Sequence, residues 1–158
     1  MSLEQLSSQI YNCTLCADVL PLGPRPVFQV DSASKILIIG QAPGTKVHAS
    51  GTPWDDASGR NLRKWLGVSE EQFYDPKLFA IVRMGFCYPG KGKSGDLPPR
   101  PECAPKWHTQ LLAQMPKVKL TLLIGKYAQS YYLDSQQRNL TETVRSFESY
   151  LPDTFPLG

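Results

Sequence analysis

Four cysteines in two pairs are the residues of this chain best suited to chemistry. Cys13 and Cys16 form a C-x2-C pair, Cys87 and Cys103 follow as C-x15-C, and the sequence contains no other cysteine. A two-residue spacer allows both sulfurs of the first pair to face one ion or cluster, and the distant pair can close the coordination. The pattern predicts one closed four-thiolate centre, of zinc or of iron and sulfur, that joins remote segments.

A cysteine can also serve as a small buried hydrophobic residue. Cys87 lies in an apolar stretch that could be a core strand, which favours this role for Cys87 taken alone. Cys13 and Cys16 stand in polar, turn-like surroundings, where burial as hydrophobic residues has no obvious benefit. As a set, the four cysteines therefore favour a metal centre.

Composition indicates the class of protein. The 158 residues, 41% of them hydrophobic, suit one domain over 1–158 with its own core. We find no signal-like start and no apolar run near the roughly 20 residues that span a bilayer, so we expect a cytoplasmic protein without membrane contact. We also expect it to be a monomer. In that reducing compartment a C-x2-C pair is typically metal-binding or redox-active rather than a structural disulfide.

Positive charge gives weaker information about partners. The net charge of +3 is too small to establish a polyanionic partner. Two basic groups could either contact phosphates or form solvated faces: Arg60, Arg63 and Lys64, and Lys91, Lys93 and Arg100.

Apolar runs and helical spacing alternate along the chain. Strands buried in a parallel sheet are predicted at residues 35–40, 78–82 and 118–124, with a last edge strand from Thr154 to Leu157. Helices are predicted at residues 3–10, 58–66, 106–115 and 126–133. The alternation predicts right-handed βαβ units and an α/β fold. Ligands bind such sheets at the carboxyl ends of the strands, here the loops after Ile39 and Val82.

The first of these loops, Gly40-Gln-Ala-Pro-Gly44, permits a tight turn and close backbone approach to a ligand. It lacks the Gly-Lys-Ser/Thr of a Walker loop and the G-x-G-x-x-G spacing of a dinucleotide site. Nucleotide hydrolysis is therefore disfavoured.

The segment 51–59 places an aromatic ring beside two carboxylates. Trp54 could stack on a base, and Asp55 or Asp56 could orient water or stabilise positive charge on a sugar. Alternatively, Trp54 fills the core and an aspartate caps the helix that starts near Ser58.

Taken together, the motifs between Tyr11 and Leu133 resemble the uracil-DNA glycosylase superfamily, above all its iron–sulfur branch, often called family 4. The ordered set is Cys13-x2-Cys16, Gly40-Gln-Ala-Pro-Gly44, Gly51-Thr-Pro-Trp54 with Ser58-Gly59, Cys87-Tyr-Pro-Gly with Cys103, and Leu122-Leu-Ile-Gly125 followed by Ala128. The resemblance implies a three-layer αβα fold with a mostly parallel four-stranded sheet, DNA as partner, and a [4Fe–4S] cluster on the four cysteines.

The resemblance also implies roles for residues of the strand-end loops. It assigns Gln41, Ala42 and Gly44 to the first catalytic motif and Trp54 to the ring that stacks on an extruded base. The position that reads the base edge corresponds to Arg83 or, with a shift of one residue, to Met84. The family usually has asparagine where this chain has Arg83. Arginine lacks the paired donor and acceptor of an asparagine, so uracil specificity is weakly supported.

Two further departures concern the chemistry. The family usually has glutamate at Gln41, and an amide cannot act as a general base, so Asp55 or, by slight preference, Asp56 would supply the carboxylate. The family also carries a histidine that stabilises the leaving base. The histidines of this chain are His48, which could face the site, and His108, which we expect on a helix surface.

These observations predict a DNA glycosylase-like protein that binds a flipped uracil or other deaminated or damaged base and hydrolyses its N-glycosidic bond in base excision repair. A non-catalytic iron–sulfur protein of the same fold, binding DNA or a nucleotide, is the alternative. A structural zinc site in an unrelated α/β protein is a third hypothesis.

Overall fold

Four parallel strands form the central sheet of the protein. The computed structural model describes residues 1–133, 144 and 154–157. The strands are β1 (Ile36–Gly40), β2 (Phe79–Arg83), β5 (Leu120–Ile124) and β6 (Thr154–Leu157), and their order across the sheet is β2-β1-β5-β6. Every pairing between neighbours is parallel. The predicted α/β fold with a parallel four-stranded sheet is confirmed.

Six helices and a small hairpin accompany this sheet in the described part of the chain. The helices are α1 (Leu3–Tyr11), α2 (Thr45–Ser50), α3 (Ala57–Leu66), α4 (Glu70–Phe73), α5 (Cys103–Ala113) and α6 (Lys126–Tyr132). The antiparallel hairpin consists of β3 (Lys91–Gly92) and β4 (Gly95–Asp96).

Alternating side chains of the strands feed two cores, one on each face of the sheet. On one face Leu37 and Ile39 pack in a cluster with residues of α1, α5 and α6. On the other face Ile38 packs with Leu62 of α3 and Phe73 of α4. Because a strand directs successive side chains to opposite faces, the apolar run of β1 requires a helical layer on each side. The arrangement is the predicted three-layer αβα fold.

The predicted elements agree closely with the observed ones, with one shifted helix. The helix predicted at 106–115 begins earlier, at Cys103, and ends at Ala113. Pro105 occupies its first turn, where the missing N–H would have no acceptor within the helix. The helices α2 and α4 and the β3–β4 hairpin were not predicted, since each is six residues or shorter. In the described residues we find no helix long and apolar enough to cross a membrane.

Candidate functional site

A cavity of about 420 Å³ lies at the carboxyl ends of β1, β2 and β5. Six residues proposed from the sequence line it: Gln41, Ala42, Gly44, Trp54, Asp56 and Arg83. Asp55 is exposed and does not belong to this lining. Cavities of this size accept ligands as large as a nucleobase, and their position at the strand ends is the usual one for α/β sheets.

Trp54 packs against two glycines. Its carbonyl oxygen accepts a hydrogen bond from Arg63 Nη1, and the carbonyl oxygen of Pro53 accepts one from the Tyr74 hydroxyl. The φ of Trp54 is 59°, the left-handed conformation, which is unusual for a tryptophan. A Cβ on Gly59 would lie 1.7 Å from the Trp54 carbonyl oxygen, so α3 can begin against this carbonyl because residue 59 is glycine. A Cβ on Gly40 would lie 3.0 Å from Cζ2 of the ring. Both glycines of the sequence motifs therefore make room for Trp54.

Arg83, the last residue of β2, lies against this ring. Its guanidinium carbon is 4.8 Å from the Trp54 ring centre, and the residue is only 4% exposed. Nη1 donates to the carbonyl oxygen of Ala42 at 2.9 Å, whereas Nε and Nη2 have no partner among the described residues. Burial lowers the pKa of Arg83 to about 10, against the opposing attraction of Asp56. At neutral pH the cavity thus contains a buried cation with unused donors.

Asp56 combines a structural role with a place in the cavity. Its Oδ1 accepts the backbone N–H of Gly59 at 2.8 Å and so caps α3. The capping role considered from the sequence is therefore present, while the same residue lines the cavity beside Arg83.

The loop after β1 is attached to the end of β2. Met84 N–H donates to the Gly40 carbonyl, and Gly85 N–H donates to the Gln41 carbonyl, each at 2.9 Å. The Gln41 amide lies over Gly125, where a Cβ would be 2.6 Å from its Nε2. These contacts hold the exposed Gln41 side chain at the cavity.

The prediction that His108 lies on a helix surface is wrong. His108 is 1% exposed, and its Nε2 donates to the Arg83 carbonyl oxygen at 2.8 Å. With Nε2 donating, Nδ1 accepts from the Tyr132 hydroxyl. Burial lowers the pKa of His108. His48 lies outside the cavity lining, with its ring 6.1 Å from that of Tyr88.

The four cysteines meet at a second, small and apolar cavity. Cys13, Cys16, Cys87 and Cys103 all line it, and none forms a disulfide. Burial raises the pKa of Cys16, Cys87 and Cys103 to about 11 each. Cys87 belongs to the loop after β2 rather than to a core strand. Within the described residues, no group of three or more His, Cys, Asp or Glu side chains is close enough to hold a single metal ion.

The first basic group is not a uniform solvated face. Arg63 is 6% exposed and donates through Nη1 to the Trp54 carbonyl and the Tyr74 hydroxyl, each at 3.1 Å. Arg63 therefore supports the conformation of residue 54 and is withdrawn from phosphate contact. Arg60 and Lys64 remain exposed on α3.

Four further residues with polar or aromatic side chains line the main cavity: Ser58, Asn61, Trp65 and Asp96. Asn61 and Trp65 lie on α3, and Trp65 is 69% exposed. Asp96 lies on the β3–β4 hairpin. The sequence signal for this hairpin is weak, consisting of Gly92 and Gly95 around a two-residue turn.

Comparison with known proteins agrees with this geometry. The model of the uracil DNA glycosylase superfamily matches residues 27–157. The chain belongs to that superfamily. It is also 22% identical over 154 residues to a type-4 uracil-DNA glycosylase of Sulfurisphaera tokodaii, a match that covers 91% of this chain. The chain spans 64% of the length of this relative. The resemblance inferred from the motifs is confirmed.

Proposed function

We propose that this protein accepts a base extruded from DNA into the strand-end cavity and hydrolyses the N-glycosidic bond, as a DNA glycosylase-like enzyme of base excision repair. The observation that carries the proposal is the meeting of Trp54, Arg83 and the 40–44 loop at one cavity of about 420 Å³ in a member of the uracil-DNA glycosylase superfamily. A base must leave the stack before a protein can reach its glycosidic bond, so such a cavity is required.

Each part of the cavity has a role in this proposal. The Trp54 ring supplies a stacking surface for the base. Arg83 supplies positive charge and N–H donors but no acceptor, so it suits bases that present oxygen or unprotonated nitrogen. Ala42 has a small side chain and Gly44 has none, which allows the sugar and base to approach the backbone of the loop.

The charges suit cleavage of the glycosidic bond. As the bond between C1′ and the base nitrogen breaks, electrons move to the base and positive charge develops on the sugar. The Arg83 cation stabilises the departing base, and the Asp56 carboxylate stabilises the sugar. The Gln41 amide can hydrogen-bond the base or water but cannot remove a proton.

The cysteines fit a four-thiolate centre, because all four line one cavity and are free of disulfides. We propose that Cys13, Cys16, Cys87 and Cys103 hold a [4Fe–4S] cluster. When bound, such a cluster would act structurally, by joining the N-terminal turn to the loop after β2 and to the start of α5. Four thiolates can also bind zinc in general, but within the described residues the cysteine side chains are not close enough to hold a single ion, which favours the cluster.

The test is a panel of single- and double-stranded oligonucleotides, each with one uracil, hypoxanthine or xanthine, incubated with anaerobically purified protein. We expect abasic sites in at least one substrate. Trp54→Leu should weaken binding of that substrate by about 5- to 150-fold, corresponding to the 1–3 kcal/mol of one stacked base. Tyr11→Leu, which removes an exposed ring outside the cavity, should leave binding unchanged.

The same panel examines the alternative of a non-catalytic binding protein, which Gln41 favours because its amide cannot activate water. Salt-dependent DNA binding without release of any base would support this alternative and reject the glycosylase. Absence of DNA binding at low salt would reject both.

A further inference from the structure

Hydrolysis of a glycosidic bond is accelerated by a group that takes a proton from the attacking water. The following inference rests on the proposed function and concerns which residue does this. The Gln41 amide is excluded because it cannot accept the proton at neutral pH. A general base of this cavity must therefore be another side chain.

The two aspartates of the segment 51–59 are poorly placed for this role. Asp55 is exposed and outside the cavity lining. Asp56 lines the cavity, but its Oδ1 accepts the N–H of Gly59 and its charge attracts the buried Arg83 cation. One of its two carboxylate oxygens is therefore occupied by the cap of α3, and its negative charge faces the Arg83 cation.

Asp96 is the other carboxylate that lines this cavity within the described residues. Its Oδ2 would lie 3.6 Å from a Cβ placed on Gly44, so the carboxylate stands directly opposite the loop after β1. Side-chain hydrogen bonds and ion pairs to this carboxylate are absent from the described part of the structure. Asp96 is also exposed, so its carboxylate can contact water at the cavity.

The backbone holds Asp96 in this position. Lys91 pairs with Asp96 and Gly92 with Gly95 in the hairpin, and Leu97 N–H donates to the Gly90 carbonyl at 2.8 Å. Gly95 has a φ of 108°, which favours glycine at the turn.

Both ends of the loop that carries this hairpin lie at the cysteine cavity. The hairpin lies between Cys87 and Cys103, and both of these residues line that cavity. The four-cysteine centre is thus connected through this loop to the residue that faces the 40–44 loop.

We propose that Asp96 is the general base of this cavity. Its carboxylate accepts a proton from water while the water oxygen forms a bond to C1′ of the nucleotide. The bond between C1′ and the base nitrogen breaks, and its electron pair leaves with the base, which then takes a proton from solvent. The products are an abasic site and the free base, and no oxidant or further reactant is consumed.

The experiment compares full-length wild type, Asp96→Asn and Asp96→Ala on the best substrate of the oligonucleotide panel. Single-turnover rates and dissociation constants are measured separately. Asp96→Asn should lower the rate by about 100- to 10,000-fold, the usual contribution of a general base, and change the dissociation constant by less than about threefold. Added formate should restore part of the rate of Asp96→Ala, because a small carboxylate can replace the missing one. Glu71→Gln, which neutralises an exposed carboxylate on α4, should retain the wild-type rate.

The outcomes separate this inference from the proposed function. A wild type that releases no base overturns the proposed function and the inference with it. An active wild type with an equally active Asp96→Asn overturns the inference alone. Loss of rate that is matched by loss of DNA binding, or that formate does not restore, also overturns it, because Asp96 would then act in binding or in support of the loop. Circular dichroism melting confirms that each variant is folded before rates are compared.

Discussion

The guanidinium of Arg83 lies 4.8 Å from the centre of the Trp54 ring, and both residues are at least nine-tenths buried. This stacking stabilises a cation that burial otherwise disfavours. One hydrogen bond, to the Ala42 carbonyl, compensates only part of the lost hydration. The pair therefore carries a desolvation cost that its contacts within the protein offset only in part, as expected if it serves the proposed binding of a base.

Replacing Arg83 by methionine should make the protein more stable and less able to bind substrate. A buried cation with unpaired donors costs free energy, so an apolar side chain of similar length should leave stability unchanged or raise it by about 1–4 kcal/mol, the range found when buried ion pairs are exchanged for apolar residues. For a chain of this size each kcal/mol corresponds to a rise in Tm of about 2–4 °C. Thermal melting and oligonucleotide binding of Arg83→Met measure the two effects.

Arg60→Met, at an exposed position on α3, is the matched control and should change stability by less than about 0.5 kcal/mol. If Arg83→Met instead lowers Tm by several degrees, the guanidinium contributes to folding, and its assignment to ligand binding would be contradicted.

Gly59→Ala should damage both the fold and the cavity. Alanine normally favours a helix over glycine, but a Cβ here would lie 1.7 Å from the Trp54 carbonyl oxygen, a backbone atom held by Arg63. The start of α3 would have to move, at a cost of about 1–3 kcal/mol or more. Denaturant unfolding measures the loss.

Ser58→Ala, at the neighbouring exposed position, serves as the control for this change. It should leave the unfolding free energy within about 0.5 kcal/mol of the wild type. Equal stability of Gly59→Ala and wild type would show that Trp54 does not require glycine at residue 59.

The strands and the cavity loops could be predicted from sequence because their signals are local. The run of β1 contains consecutive β-branched and leucine residues and ends at Gly40, a pattern that specifies burial on both faces without any knowledge of neighbours. The 40–44 loop follows directly, so its place at the carboxyl end of the sheet was determined once the strand was recognised.

Asp96 and His108 could not be placed in this way, because distant residues determine their positions. Asp96 follows a short turn in a loop without periodicity, and its proximity to Gly44 arises from the folding of a two-stranded hairpin. His108 is polar and lies on a helix, which favours exposure. Its burial depends on an acceptor from β2 and a hydroxyl from α6.

Stability should decrease as the pH falls below about 6.5, and His108 should contribute to this decrease. Burial lowers the pKa of His108 from its ordinary value of 6.5, so in mildly acidic solution the unfolded chain binds a proton that the folded chain does not. The contribution of His108 is complete above pH 6.5 and is lost as the pH falls toward the lowered pKa. The groups that face it are the Arg83 carbonyl, Tyr132 and the rings of Tyr131 and Phe86. Burial raises the pKa of Tyr132, which stays protonated over this range.

Unfolding free energies between pH 8 and pH 5 for wild type and His108→Gln measure this contribution. The variant keeps a polar group in the site but cannot titrate, so its stability should depend less steeply on pH than that of the wild type. Identical slopes for the two proteins would contradict the assignment.

Loss of the metal centre should release the N-terminal turn and, through the Cys87–Cys103 loop, loosen the hairpin that carries Asp96. A ligand whose free concentration is about 100 times its Kd stabilises the folded state by about 2.7 kcal/mol. Chelator treatment or Cys13→Ser should therefore lower Tm by at least about 5 °C. Chymotrypsin should then cut faster at Leu15 or Leu22, which are 54% and 56% exposed.

Thr14→Ser, between the first two cysteines, is the control and should keep both metal content and Tm. Iron and sulfide analysis decides the occupant: zinc without sulfide would replace the proposed cluster, whereas Cys13→Ser with full metal content and unchanged Tm would remove Cys13 from the ligand set.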